Sequence, residues 1–331
     1  MERFALAAAV VLGFALTAAL CSLFVPLRRV LERREQNQQP AQSEQPRPAP
    51  LRAPLWGGLC AAAGTVAAVG VGWLAACVGQ PELLGSEGRL MTRLLTALAG
   101  SLAFGAVGLA EDVARMRSPA ALGLRRDVRL LLEALAAAFV LLLLQAAGCL
   151  PRGLDVPGAG YVLLGSAVPF LWAVLMVALA ECARIAERDE GTVCGAAFVA
   201  MLALMMAEAG LGVPGLAVLP AALAGALVAL LLWAFPPARL GVGCCGSLLA
   251  AGAIGCIPLS LDMTSLTVPL ALPFWAAGGL LAAQLLGAKR TGKPLRCWVK
   301  KHKMSPETVF LCSFALSAVG YVLALALLRW C

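Results

Sequence analysis

Residues 4–26 read FALAAAVVLGFALTAALCSLFVP, an apolar run that contains no charged side chain. A run of about 20 apolar residues is long enough to cross the hydrocarbon core of a bilayer as an α-helix. A second run, LLLEALAAAFVLLLLQAA, occupies residues 130–147, and similar runs recur along the chain. Because the runs are continuous and rich in Ala and Leu, they predict helices rather than the alternating strands of a membrane barrel.

The composition supports the same class of protein. Hydrophobic residues make up 61% of the chain and charged residues 13%, whereas a soluble domain carries about 25% charged residues. We therefore predict an all-α, polytopic membrane protein that forms a single integral membrane domain over residues 1–331. About ten transmembrane helices are expected, at roughly 4–26, 56–78, 91–110, 129–149, 160–180, 193–210, 214–234, 246–262, 267–287 and 308–329.

The basic residues predict the orientation of these helices. Of the 26 Lys and Arg residues, 21 fall in alternate loops; these loops are 27–55, 111–129, 181–192, 235–245 and 288–307. Cytoplasmic loops of membrane proteins carry the excess of Lys and Arg. The five loops are therefore predicted to be cytoplasmic, with both termini outside. This distribution explains the net charge of +8 without nucleic acid, and no nucleic-acid partner is expected.

Three further features bear on function. Residues 35–50 are polar and Pro-rich, which predicts a flexible cytoplasmic linker. The single histidine, His302, excludes a zinc site built from several histidines. The 12 cysteines are irregularly spaced and mostly lie within apolar runs, where a Cys usually acts as a small apolar residue.

Carboxylates are concentrated at two of the predicted cytoplasmic helix ends. Glu111 and Asp112 end the third predicted helix, and four more acidic residues lie within 181–190, after the fifth. Paired carboxylates beside Arg and Lys can hold Mg²⁺ and a diphosphate. On composition alone, the alternative is that these are solvated loop charges paired with neighbouring arginines.

Five short motifs follow one another along the predicted cytoplasmic side. They are VPLRR at 25–29, PLWGG at 54–58, GLAED at 108–112, GCCGS at 243–247 and PL…SPETV over 294–309. In order and spacing they resemble the I-P-x-L-R-R, P-T-M-G-G, G-F-x-D-D, M-G-D-T-G-S and P-L-H-H-H…S-E-x-K-V motifs of the phospho-N-acetylmuramoyl-pentapeptide transferase family. That family comprises polyprenyl-phosphate phospho-sugar transferases of the glycosyltransferase family 4 type.

The resemblance implies ten helices and a cytoplasmic cleft that binds Mg²⁺, a uridine diphospho-sugar and a lipid phosphate. In the family, the lipid phosphate attacks the nearer sugar-linked phosphate and uridine monophosphate leaves. If this chain is active, the resemblance implies Mg²⁺ as cofactor and assigns catalytic roles to Glu111 and Asp112. It assigns substrate binding to Glu187, Glu190, Arg184, Arg129, Arg296 and Lys300. The family's metal positions fall on Glu187 and Cys244.

The chain departs from the family at most of the reactive positions. Glu111 replaces the first Asp of D-D, Cys244 replaces the metal-binding Asp, and Arg296, Cys297 and Trp298 replace the three histidines. A thiol is a poor ligand for Mg²⁺, a hard cation that prefers oxygen. These replacements predict a catalytically impaired pseudoenzyme or regulatory subunit of cell-envelope synthesis.

Two alternatives remain open at this point. The first is an active Mg²⁺-dependent transferase that moves a phospho-sugar to undecaprenyl phosphate. The second is a protein that binds or transports lipid phosphates without bond-making. Each would lie in the bacterial plasma membrane with its site facing the cytoplasm. The expected partners are membrane lipid, undecaprenyl phosphate, and a membrane protein or a second copy of the chain.

Overall fold

The computed structural model describes residues 2–38, 56–79, 88–117, 123–151, 153–156, 160–163, 165, 167–187, 191–211, 215–235, 238–286 and 305–330. Within these residues the fold is helical, apart from one hairpin and one 3-10 turn at Thr264–Leu266. The helices are α1 (Glu2–Gln38), α2 (Gly57–Gly79), α3 (Gly88–Arg117), α4 (Arg126–Ala146), α5 (Ala167–Ala186), α6 (Thr192–Gly210), α7 (Val218–Ala234), α8 (Gly243–Ser260), α9 (Thr267–Leu270), α10 (Leu272–Leu286) and α11 (Pro306–Trp330).

Seven of the described helices are long and apolar enough to cross a membrane: α1, α2, α3, α5, α6, α8 and α11. Helix α7 is apolar but shorter. Each of the ten segments predicted from the sequence overlaps a described helix, and seven of them overlap a helix long and apolar enough to cross a membrane. The helical, multi-pass architecture is thereby confirmed.

The fifth predicted segment, 160–180, needs a correction at its start. Residues Gly160–Leu163 form strand β2, which pairs antiparallel with β1 (Gly153–Val156), so that Gly153 faces Leu163 and Val156 faces Gly160. Gly160 has a φ of +72°, a left-handed conformation that interrupts a helix and suits a turn. Helix α5 therefore begins at Ala167.

The first helix continues beyond the apolar run. It was predicted to end at residue 26, but α1 extends to Gln38 and includes the first four residues of the predicted linker. Residues 27–36 are rich in Leu, Arg and Glu, which are good helix formers outside as well as inside a membrane. The rest of the predicted linker, 39–50, lies outside the described residues.

Helix α8 is the centre of the bundle. All 18 of its residues are buried, and it packs against α3, α2, α5 and α6, most extensively against α3. Its sequence, GCCGSLLAAGAIGCIPLS, is dominated by small side chains. In membranes, small residues allow helix backbones to approach closely and to gain van der Waals contact.

Two close backbone crossings involve glycines of the sequence motifs. A Cβ atom at Gly58 would overlap the backbone nitrogen of Gly246, and one at Gly108 would overlap the carbonyl oxygen of Cys244. The backbone N–H of Gly58 also donates to the carbonyl oxygen of Val242 at 2.9 Å. The glycines of these motifs thus fix the distance of α2 and α3 from the start of α8.

Replacing Gly58 with Ala is expected to lower the free energy of unfolding by about 2 kcal/mol, because backbone atoms would have to move. Gly70 lies on the same helix with open space around its Cα, so Gly70→Ala should leave stability unchanged or raise it by up to about 1 kcal/mol. The stability of both variants is measured by thermal unfolding in detergent, with maleimide labelling of the buried cysteines as the readout of unfolding. Equal effects of the two variants would contradict the close crossing.

Candidate functional site

Asp112 caps the start of the central helix from a different helix. Its two carboxylate oxygens accept hydrogen bonds from the backbone N–H groups of Cys244 and Cys245, at 3.0 and 2.9 Å. Asp112 is 1% exposed. The first N–H groups of a helix have no partner within it, and the helix dipole favours a negative charge at that end. The carboxylate therefore accepts hydrogen bonds from two buried donors, and the dipole of α8 stabilises its negative charge.

The neighbouring carboxylate, Glu111, is paired with arginines. Its Oε1 accepts a hydrogen bond from Nη2 of Arg115 at 2.6 Å, and Nη1 of Arg129 lies 3.8 Å from the same oxygen. A Cβ atom at Gly123 would lie 3.0 Å from Cγ of Arg115, so the loop before α4 packs on this pair. Gly123 has a φ of +69°, a conformation that glycine adopts without strain.

A second carboxylate bridges two arginines on the other side of Arg129. Oε1 of Glu181 accepts from Nε of Arg129 at 2.8 Å, and Oε2 accepts from Nη2 of Arg184 at 2.6 Å. Oε1 of Glu133 lies 3.9 Å from Nε of Arg129. The ion pairs thus tie the end of α3, the start of α4 and the end of α5 into one group.

We call this group the carboxylate–arginine cluster; it consists of Glu111, Asp112, Arg115, Arg129, Glu133, Glu181 and Arg184. Its four carboxylates and three arginines are mostly buried. Oε2 of Glu111 and both oxygens of Glu133 have no hydrogen-bond partner within the described structure. Ion pairs removed from water must be well matched to offset the cost of desolvation; Glu181 has hydrogen-bond partners on both oxygens, whereas Glu111 has one on Oε1 alone.

Cys244 and Glu187 adjoin the cluster. The Cys244 side chain is buried near the carboxylates of Glu187, Glu111 and Asp112. Arg115 interacts electrostatically with the same three carboxylates. One thiol and one guanidinium therefore lie near acidic residues that the sequence singled out.

The part of the chain that contains the cluster is similar to a known protein family. The model of glycosyl transferase family 4 matches residues 94–262, about half of the chain, and this range includes the whole cluster and all of α8. The chain belongs to glycosyl transferase family 4.

Relatives named phospho-N-acetylmuramoyl-pentapeptide-transferase support the same family at low identity. The chain is 30% identical over 212 residues to one from Synechococcus sp. (strain RCC307), covering 63% of this chain and 55% of the relative. It is 27% identical over 265 residues to one from Mycobacterium tuberculosis (strain ATCC 25618 / H37Rv), covering 72% of each. A Desulforudis audaxviator (strain MP104C) relative is 32% identical over 170 residues, 48% of this chain and half of the relative.

The structure brings together most of the residues that the family resemblance selected. Glu111, Asp112, Arg129, Arg184, Glu187 and Cys244 lie in or beside the cluster. Glu190, Arg296 and Lys300 fall outside the described residues. The roles assigned to all of these residues remain predictions.

Three members of the cluster received no individual role from the sequence, although Glu181 was among the acidic residues singled out within 181–190. Arg115 and Glu181 were placed in loops, but α3 continues to Arg117 and α5 to Ala186, so both lie within helices. Glu133 was not considered, although it is the one acidic residue of the run 130–147 and follows Arg129 by four positions. That spacing places both side chains on the same face of a helix and was the available signal.

The family implies Mg²⁺, and the described residues do not fit it. Both oxygens of Asp112 are occupied by backbone N–H groups, and Oε1 of Glu111 is occupied by Arg115. Of the two positions at which the family resemblance places metal ligands, Glu187 keeps a carboxylate, but Cys244 carries a thiol, which is a poor ligand for a hard cation. Among the described residues no three His, Cys, Asp or Glu side chains are arranged to hold a metal ion.

Replacing Asp112 with Ala is expected to lower the free energy of unfolding by about 3 kcal/mol, because two buried N–H groups would lose a charged acceptor. Asp127 is exposed at the start of α4, and Asp127→Ala provides the control, with a change of less than about 0.5 kcal/mol. Thermal unfolding in detergent compares the two. A stable Asp112→Ala protein would show that the cap is dispensable.

Proposed function

We propose that the chain is a catalytically impaired member of glycosyl transferase family 4 that acts as a pseudoenzyme or regulatory subunit in cell-envelope synthesis. The observation that supports this most directly is the occupancy of the acidic residues. Asp112 binds the start of α8, and Glu111 and Glu181 bind arginines. These hydrogen bonds and ion pairs compete with a metal ion for Asp112, Glu181 and one oxygen of Glu111, whose other oxygen has no hydrogen-bond partner within the described structure.

The substituted side chains favour the same proposal. Cys244 supplies a buried thiol where the family resemblance places a metal-binding Asp. Phosphoryl transfer depends on positioning and on stabilisation of charge by metal ions and cations. Loss of the metal would remove a large part of that stabilisation, while leaving the helices intact.

An active phospho-sugar transferase is the second candidate, because the relatives bear the names of transferases. In that case Glu111, Asp112, Glu187 and Glu190 would hold Mg²⁺, and Arg184, Arg296 and Lys300 would bind the phosphates. Undecaprenyl phosphate and a uridine diphospho-sugar would be its substrates. The third possibility, binding of a lipid phosphate without turnover, is compatible with the impaired site.

The purified chain is expected to release no uridine monophosphate from uridine diphospho-muramoyl-pentapeptide in the presence of undecaprenyl phosphate and Mg²⁺. The Mycobacterium tuberculosis relative, assayed in parallel, controls for the lipid and the donor. Mg²⁺-dependent release that disappears in Glu187→Gln would establish the active transferase and refute the pseudoenzyme. Glu187 serves this purpose better than Asp112, because it takes no part in the cap of α8.

The proposal includes ten membrane spans, with both termini outside and the cluster at the cytoplasmic face of the bacterial plasma membrane. The Lys and Arg distribution supports this orientation. Alkaline phosphatase, which is active only outside the cytoplasm, should be active when fused after residue 331 and inactive when fused after residue 120. A green fluorescent protein at the same two positions should give the opposite pattern. Activity of alkaline phosphatase at residue 120 would reverse the topology.

A further inference from the structure

Two buried thiols that take no part in the carboxylate–arginine cluster face each other across the first two helices. Cys21 of α1 and Cys60 of α2 are 0% and 1% exposed. Their side chains lie within hydrogen-bond distance of each other, and neither thiol is joined in a disulfide. Two thiols in contact on different helices differ from a single buried thiol, because oxidation can join them covalently.

The packing of α1 against α2 accounts for this pairing. A Cβ atom at Gly72 would overlap Cβ of Ala9, and one at Gly64 would overlap Oγ1 of Thr17. The two helices are therefore antiparallel, and their small residues allow the backbones to approach closely. The two cysteines follow one turn further along each helix from Thr17 and Gly64. Residues four apart share a face of a helix, so the contact between the thiols continues a regular, close crossing.

Aromatic rings cover the two thiols on the side of the loop that joins α1 and α2. Phe24, three residues after Cys21, stacks on Trp56, four residues before Cys60, and the ring centroids are 5.7 Å apart. Because both thiols are also buried, a large or charged reagent cannot reach them in the folded chain. A reagent that does reach them must be small and neutral.

Two further buried thiols lie near the pair. Cys194 of α6 is close to Cys21, and Cys245 of α8 is close to Cys60, but the thiols in hydrogen-bond contact are those of Cys21 and Cys60. Among the residues that the structure describes, no group of three His, Cys, Asp or Glu side chains could hold a metal ion. The pair therefore suits oxidation better than the binding of a metal ion by three or more ligands.

We infer that Cys21 and Cys60 form an oxidation site, at which a peroxide joins α1 to α2 through a disulfide. Hydrogen peroxide oxidises one thiol to a sulfenic acid and releases one water molecule. The second thiol then attacks the sulfenic sulfur, so that the S–S bond forms and a second water molecule leaves. Two thiols and one hydrogen peroxide thus give one disulfide and two water molecules.

The disulfide would attach α1 to the helix that positions the start of α8. Cys60 follows Gly58 by two residues, and the backbone N–H of Gly58 donates to the carbonyl oxygen of Val242 at 2.9 Å. Thiols on the cytoplasmic side are kept reduced, and disulfides formed there are usually transient or redox-sensing. The pair is accordingly a dithiol in the resting chain and a disulfide under oxidative conditions. No step involves the carboxylate–arginine cluster, so the inference does not depend on the proposed function.

The test uses the full chain in detergent. Exposed thiols, such as that of Cys312, are first blocked with a charged maleimide, and hydrogen peroxide is then added and removed with catalase. The chain is denatured, and its remaining thiols are counted with a polyethylene-glycol maleimide. The peroxide-treated chain is expected to bind two fewer maleimide groups than the untreated chain, and dithiothreitol should reverse this loss. Mass spectrometry after digestion without reductant should find the Cys21 and Cys60 peptides joined.

Two single substitutions provide the comparison. Cys21→Ala removes one partner and should yield no joined peptide. Cys77→Ala is the matched control, because it removes another buried thiol of α2 and should leave the joined peptide and the loss of two maleimide groups unchanged.

Two outcomes would overturn the inference. One is a folded, unaltered chain that yields no joined Cys21 and Cys60 peptides after peroxide treatment; this arm decides even if Cys21→Ala does not fold. The other is a chain in which Cys21 is joined to Cys194, or Cys60 to Cys245, as often as the two are joined to each other. Release of uridine monophosphate by the same preparation would refute the pseudoenzyme alone and would leave the oxidation site standing.

Discussion

The pairing of the Asp112 carboxylate with the start of α8 is the interaction on which the rest of the structure depends. Helix α8 is buried along its whole length, so its unpaired N–H groups cannot turn to water and require an acceptor within the protein. Asp112 provides that acceptor from α3. Once α3 and α8 are joined, Glu111 is carried to the same end of the bundle, where Arg115 and Arg129 neutralise it. The position of the cluster follows from the capping of one helix.

The G-L-A-E-D motif at 108–112 contains residues that hold the helices together and residues that the family resemblance associates with catalysis. In the G-L-A-E-D motif, Gly108 permits the close crossing with Cys244 and Asp112 caps α8. Both contributions are structural and neither needs a substrate. Glu111 is the motif residue with an oxygen still lacking a partner in the described structure, yet an arginine occupies the other oxygen. Helix packing and capping therefore explain Gly108 and Asp112 of this motif independently of any reaction.

The sequence was informative about the helices because a bilayer imposes a simple rule, that about 20 apolar residues are needed to cross it. It was less informative where charge and helix overlap. Residues 111–117 and 181–186 contain four Arg and Glu side chains of the cluster, and their polarity suggested loops, but tertiary ion pairs allow both segments to remain helical. The hairpin at 153–163 was missed because its apolar strand residues lead into α5 without a change in composition. The spacing of residues predicts which side chains share a face of a helix, but it does not predict which distant residue forms an ion pair with a buried charge.

The carboxylates of the site are hydrogen-bonded or ion-paired, which the sequence did not predict, because their partners are distant along the chain. Residue type and order placed Glu111, Asp112, Glu187 and Cys244 near one another, but whether a carboxylate is free depends on partners that are distant in sequence. Asp112 lies 132 positions from Cys244, and Arg129 lies 52 positions from Glu181. Asp112 is the acid of the pair that matches the family motif unchanged, and it is also the one held by two backbone donors. Its presence is therefore explained by the fold alone and is not evidence that the chain retains the chemistry of the family.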